Sequence, residues 1–246
     1  MAVTVDSLLT RAGVILHDTT QVRWQETELL DWLNDSQREL VLIRPDASIK
    51  NEDHILTEGT KQTLPDGGIR LIDVVRNNTT GMKNAVRVID RNVLDAQQPA
   101  WHTSGANATV EHFMFDLRDP KHFYVYPAQP AAVGTVELVY SSTPVDAVLS
   151  VDAVPAVGSG DGTPGNDAAI PAIIAGQTEI TLDDIYANAM LDYILYRAYS
   201  KDADFAGNAQ RALKHYEAFA ASLGLKFQVD KLIDPNMQDN TVPAQQ

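Results

Sequence analysis

The feature that most constrains this chain is a set of four amphipathic stripes, two near each end of its 246 residues. The first covers about 4–16, with Val5, Leu8, Leu9, Ala12, Ile15 and Leu16 at helical offsets. The second is ETELLDWLNDSQRELVLI, in which Leu29, Leu33, Gln37, Leu40 and Val41 share one side and Trp32 lies beside them. The third aligns Ala187, Met190, Leu191, Ile194, Leu195 and Ala198, and the fourth Ala209, Ala212, Leu213, Tyr216, Phe219, Ala220 and Leu223. A helix with one apolar face must bury it against another element. The economical solution is an antiparallel helical bundle formed by the two chain ends. Gln25 stands as a weak cap three residues before Glu28, and Pro45 ends the second helix. Thr181 with Asp184 reads as the opening of the third, and Gly224 as the stop of the fourth.

Between the two pairs the period changes. IRLIDVV, AVRVID, EHFMFDL, HFYVYP and TVELVYSS are short, β-branched or aromatic, and bounded by turn residues. They predict a small, mostly antiparallel β domain of five or six strands, with RDPKH at 118–122 as a hairpin turn. RNVLDAQQPAW reads as a short helical or irregular connection. A Gly-, Pro- and Ala-rich stretch without periodicity follows. The expected fold class is α+β. Residues 1–52 give the first half of the bundle, 53–146 the inserted β domain, 147–178 a long flexible or partner-binding loop, 179–224 the second half of the bundle, and 225–246 an extended C-terminal arm.

Charge and composition narrow the function. The formal net charge is −14, so the chain lacks the clustered Lys and Arg that grip nucleic acid. Between Lys121 and Arg197 it has nine acidic residues and no Lys or Arg. That interval is either a solvated acidic face or a surface that must not stick to a polyanion. The absence of cysteine excludes disulfides, thiol catalysis and thiolate–zinc sites. No signal peptide and no apolar run near the ~20 residues of a membrane span are evident, so synthesis in the cytosol is the default.

No cofactor or metal is expected. The six histidines (His17, His54, His102, His112, His122 and His215) include no helical zinc spacing. His112 and His122, near Asp116 and Asp119, are the strongest acid–base candidates, set against a reading as exposed strand residues. DGTPGND at 161–167 lacks the alternating carboxylates and following glutamate of a calcium loop. There is no nucleophile elbow and no phosphate-binding Gly-rich loop. The chain reads as a non-enzyme. Tyr186, Tyr193, Tyr196 and Tyr199 lie mainly off the stripe of the third helix. They read either as an aromatic half of the core or as a second packing face, because Tyr is enriched where subunits meet.

Both ends together resemble a known family. At the front stand Trp24, Glu28-Leu29-Leu30, Trp32-Leu33-Asn34 and Pro45-Asp46. At the back stand Tyr186, Asp192-Tyr193, Arg197-Ala198-Tyr199, Lys201-Asp202 and His215-Tyr216. In this order they resemble the head-to-tail adaptor (connector) proteins of tailed bacteriophages, of the short-tailed type. The resemblance implies a homo-oligomeric ring of about twelve copies beneath the portal protein, in the neck of the virion. It also implies contacts to tail or nozzle proteins and a lumen through which genomic DNA passes without specific binding. No membrane is involved. Tyr186, Tyr193, Tyr196, Arg197 and Tyr199, with Leu225, Phe227, Val229, Leu232 and Ile233 of the arm, are then the expected subunit and portal contacts. The alternatives are a tail-completion or stopper protein of the neck, a hydrolase using the His/Asp groups of the β domain, and a cellular helical adaptor.

Overall fold

The computed structural model describes residues 3–79, 81, 83–148, 179–205 and 207–233, the last nine as backbone only. The loop expected at 147–178 lies almost wholly outside the described residues. The chain divides into two compact units, Met1–Leu40 with Val145–Gln246, and Val41–Pro144.

The first unit is helical. Helices α1 (Val5–Ile15) and α2 (Glu26–Ile43, whose last residues pass into the second unit) precede the β region, and α4 (Ala187–Lys201) and α5 (Asn208–Ile233) follow it. Thr4 caps α1 by accepting the Ser7 N–H at 3.2 Å. Its backbone forms an antiparallel bridge with Glu179, and Val3 takes hydrogen bonds from Ile180 and to Asp184. Residues from opposite ends of the sequence therefore start this unit side by side. Arg11 on α1 donates to Asn188 on α4 at 2.9 Å. Helix α4 is buried on most of its circumference, as an element hydrophobic nearly all round must be.

Two expectations at helix ends are corrected. Thr181 does not cap the third helix; its hydroxyl donates to the Val145 carbonyl, and Asp183 caps a 3-10 turn at Asp184–Tyr186 by accepting from Ile185. Gly224 does not stop the fourth helix. α5 runs on through LKFQVDKLI to Ile233, so residues 225–233 are helical and not an extended arm. One mid-helix glycine costs only about 1 kcal/mol, and the flanking Leu, Lys, Phe and Gln sustain the ladder. Pro235, which disfavours helical geometry at Asp234, is the stronger stop signal. The remainder of the arm, 234–246, lies outside the described residues.

The second unit holds two sheets. One has the order β1-β7-β3 (Ile49–Ile55, Thr135–Ser142, Gly68–Asn77) and is antiparallel throughout. The other has the order β2-β6-β5-β4 (Gly59–Thr63, Asp119–Gln129, His112–Asp116, Arg87–Val88), with only the β4–β5 pair parallel. The hairpin between β5 and β6 turns at Leu117–Arg118, tighter than the RDPKH turn expected, and β6 begins at Asp119. The helix anticipated in RNVLDAQQPAW is α3, Arg91–Gln97, capped by Asp90. Leu71, Val74, Phe113, Phe123, Val125, Val136, Leu138 and Tyr140 from both sheets form one core.

This core is knitted by buried amides. Gln62 donates to the Thr57 and Gly59 carbonyls and accepts from the Thr57 N–H and hydroxyl, so all its capacity is used. Asn77 donates to the Asn84 and Val110 carbonyls and accepts the Val110 N–H at 2.7 Å. Gln129 donates to Asn107 and Pro127. Gly134 lets the backbone pass this amide, because a Cβ there would lie 2.1 Å from Gln129 Oε1. Buried amides are tolerable where backbone satisfies them, as at Gln62 and Asn77; the Gln129 amide is satisfied on its donor side only.

Candidate functional site

The residues that carry the front and back motifs meet within the helical unit. Arg23 forms an ion pair with Asp202, Glu28 with Lys201 at 2.6 Å, and Asp35 with Arg197 at 3.9 Å. Positions rise along one segment as they fall along the other, so the α2 and α4 seams run antiparallel. The pairs are partly solvated and each contributes at most about 1 kcal/mol. Their use is in setting register. Arg23 also lies over Trp24, 5.0 Å from the ring centroid, and over Phe205 at 5.7 Å. It thereby ties the start of α2 to the turn between α4 and α5.

The loop before α2 is ordered from one carboxylate. Asp18 accepts the N–H groups of Val22, Arg23 and Trp24 at 3.1, 2.7 and 3.0 Å. The bond from Trp24, with those from Arg23 and Val22, holds the Asp18 carboxyl below its ordinary value. His17 and Gln21 adopt positive φ of 56° and 54° around it. Farther along α2, Asn34 is buried and reads backbone as a neighbouring strand would. It accepts the Ala147 N–H at 2.8 Å and donates to the Ala147 carbonyl at 3.1 Å. Arg38 reinforces the same point through both oxygens of Asp146, at 2.6 Å each.

The tyrosines of α4 point at α5. Tyr193 meets Phe219 edge-on at 5.3 Å, Tyr196 meets Tyr216 at 5.0 Å, and Tyr199 stacks on His215 at 5.7 Å. His215 in turn is bonded to Asp192 at 2.9 Å, and Arg211 lies over Tyr199. Tyr186, Tyr193 and Tyr199 are buried inside their own unit, so of the two readings offered by the sequence these three are the aromatic half of the core. Burial also pushes the Tyr193 phenol up. Tyr196 and Arg197 keep part of their surface. Leu225, Phe227, Val229, Leu232 and Ile233 lie on the last turns of α5.

The acid–base candidates of the β unit are not brought together. His112 pairs across the ladder with Tyr126, whereas His122 lies beyond Phe123, which faces Phe115, at the other end of the hairpin. His122 is bonded to Asp119 at 2.7 Å. Asp116 is bound by Arg118, which holds its carboxyl down at about 2 and makes it a poor base. A cleft of 680 Å³ beside α3 is lined by Asp90, Arg91, Asp95, Asp116 and Arg118. Arg91 faces Asp95, and Arg118 faces Asp116. Among the described residues no cluster of His, Asp or Glu fits a metal ion, and no helix is long and apolar enough to cross a membrane.

Sequence reasoning named Glu28, Arg197, Lys201 and Asp202 as motif residues without seeing their cross-segment partners, and Asn34 without its bonds to Ala147. Arg23, Asp35, Asn188 and Phe205 were missed, because a contact between segments about 170 residues apart leaves no local pattern. No characterised protein gave a significant match to the chain. The family model of the SU10 adaptor protein matches residues 3–242. With both of its motif-bearing ends joined in one unit and a match over nearly its whole length, the chain belongs to the SU10 adaptor protein family, and it is a phage adaptor protein.

Proposed function

We propose that this chain is the head-to-tail adaptor of a tailed phage, a structural and non-enzymatic protein of the virion neck. Copies assemble into a ring of about twelve between the portal and the tail, with a lumen for the genome. The observation that carries this reading is the family match over residues 3–242. The distribution of charge supports it. The helical unit has 9 Lys and Arg against 21 Asp and Glu, while the β unit has 10 against 12. An acidic wall repels phosphates, so DNA slides past it rather than binding.

The contact surface we assign is Tyr196 and Arg197 between copies, and Leu225, Phe227, Val229, Leu232 and Ile233 toward portal. Four of the last five, Leu225, Val229, Leu232 and Ile233, fall at i, i+4, i+7 and i+8, a spacing suited to a helix laid in a groove. Tyr186, Tyr193 and Tyr199 serve the interface only by holding α4 in place.

The test is co-sedimentation and negative-stain microscopy with the cognate portal, using the full chain and a chain ending at Gly224. The full chain should decorate portal as a ring. The shortened chain should keep the fold up to Leu223 and lose most of its portal binding. A full chain that leaves portal bare would refute the adaptor reading. Undiminished binding by the shortened chain would move the portal contact off α5.

A further inference from the structure

Among the described residues, strand β1 is an open edge. It pairs with β7 over its full length, Ile49↔Ser141 to Ile55↔Thr135, with no register shift. The flanking bonds, Ser142 N–H to the Ser48 carbonyl and Leu56 N–H to the Gly134 carbonyl, fix which residues face β7. They are the even-numbered ones, since antiparallel pairs alternate between bonded and unbonded. The N–H and C=O groups of Ile49, Asn51, Asp53 and Ile55 therefore point away from the sheet, and β1 stands at the end of the sheet order.

The other edges differ. β3 shifts register three times, and its outer rim is bonded by Asn84 and Val86. β2 has five residues and a shift, and β4 has two residues. β1 also leaves Ile49 and Ile55 48% and 60% exposed, one at each end. A straight edge with free ladder groups is a template for another strand.

We propose that this edge takes a second copy of the chain, the two β1 strands pairing antiparallel about a two-fold axis at Glu52. Two three-stranded sheets then become one of six strands. The sequence of β1 is complementary to itself in this register alone. Ile49 meets Ile55 of the other copy twice, and Asn51 meets Asp53 twice, each an amide beside a carboxylate. Lys50 lies opposite His54 and diagonal to Glu52 of the other copy, which offsets the facing Glu52 pair. Sliding by two residues sets Asp53 against Asp53, or Asn51 against Asn51, and strands an isoleucine on each chain. An isologous pair closes on itself, whereas a ring needs head-to-tail contacts. The pairing thus belongs to the free chain before assembly. It goes beyond the adaptor reading and does not use the helical unit.

The chain has no cysteine, so single cysteines report cleanly. In Glu52→Cys the two thiols face each other at an unbonded pair, with Cα atoms about 4.5 Å apart, within disulfide reach. Mild oxidation of the full-length variant should give a covalent dimer and nothing larger. Lys50→Cys, off the axis, should cross-link at least tenfold less. The cysteine-free wild type should show concentration-dependent dimerisation in sedimentation. Asp53→Pro, which removes an outward N–H that β7 does not use, should abolish it while circular dichroism stays unchanged. Equal cross-linking of the two cysteine variants, none in either, or a wild type that stays monomeric throughout would overturn the proposal. Portal decoration by the wild type is read separately, so failure here leaves the adaptor reading standing.

Discussion

The two units of this protein differ in how far their polar groups reach for partners. The β unit buries its amides and bonds them to nearby backbone; Asn77 and Gln62 find partners no more than 33 residues away. The helical unit buries Asn34 against the Ala147 backbone, but it holds its ion pairs at the surface and spans the sequence with them. Lys201 reaches Glu28 across 173 residues and Arg11 reaches Asn188 across 177. The charge follows the same division, with the acid excess almost wholly on the helical unit. The β unit is contiguous in sequence, although its sheets join strands far apart, such as Ile49 with Ser141. A unit made from both chain ends must wait for the ends to meet. The helical unit, built from both chain ends, is also the acidic one.

Four experiments probe this contrast, in decreasing order of expected effect. Phe219 is fully buried between α4 and α5 and meets Tyr193 and Tyr216. Phe219→Ala should cost about 3–5 kcal/mol in chemical denaturation and should unfold the helical unit first. Asn77→Ala should cost about 3 kcal/mol, because it takes the amide partner from the buried Val110 N–H and carbonyl, while the Asn84 carbonyl keeps the Asn77 N–H. If instead the two variants melt the whole chain in a single identical transition, the units are not independent.

The third probe uses pH. The Asp18 carboxyl is depressed by the N–H bonds it accepts. Its contribution to stability is therefore present above the ordinary carboxylate value and is lost as pH falls through the depressed one. The wild type should exceed Asp18→Asn in melting temperature at pH 7, and the gap should close below about pH 4. A gap that persists at low pH would mean that shape, not charge, orders the loop. The smallest effect is that of the seam. A double-mutant cycle on Glu28→Gln and Lys201→Met should give a coupling under about 1 kcal/mol, falling with added salt.

Much of the helical unit was legible because its stripes follow one period. Helix α2 matches the expected ETELLDWLNDSQRELVLI span because Pro45 closes it and the apolar spacing fills it. The β unit was half legible. β1 and β2 escaped because neither alternates apolar with polar. All but His54 of β1 is exposed on both faces, and β2 turns Thr60 and Gln62 inward instead of apolar residues. The end of α5 was misread because glycine marks a stop only when its neighbours also favour one. At the candidate site the motif residues were visible one by one. Their pairing was not, because ion pairs such as Arg23 with Asp202 are fixed by tertiary register and not by spacing.

We propose that the acidic helical unit faces the genome within an adaptor ring. A three-dimensional reconstruction of the portal–adaptor complex, at a resolution that separates helices from sheets, tests it most directly. The expected result is a closed ring on portal, with the acidic helical unit lining the channel. A channel lined by the β sheets, or portal particles without added density, would contradict it.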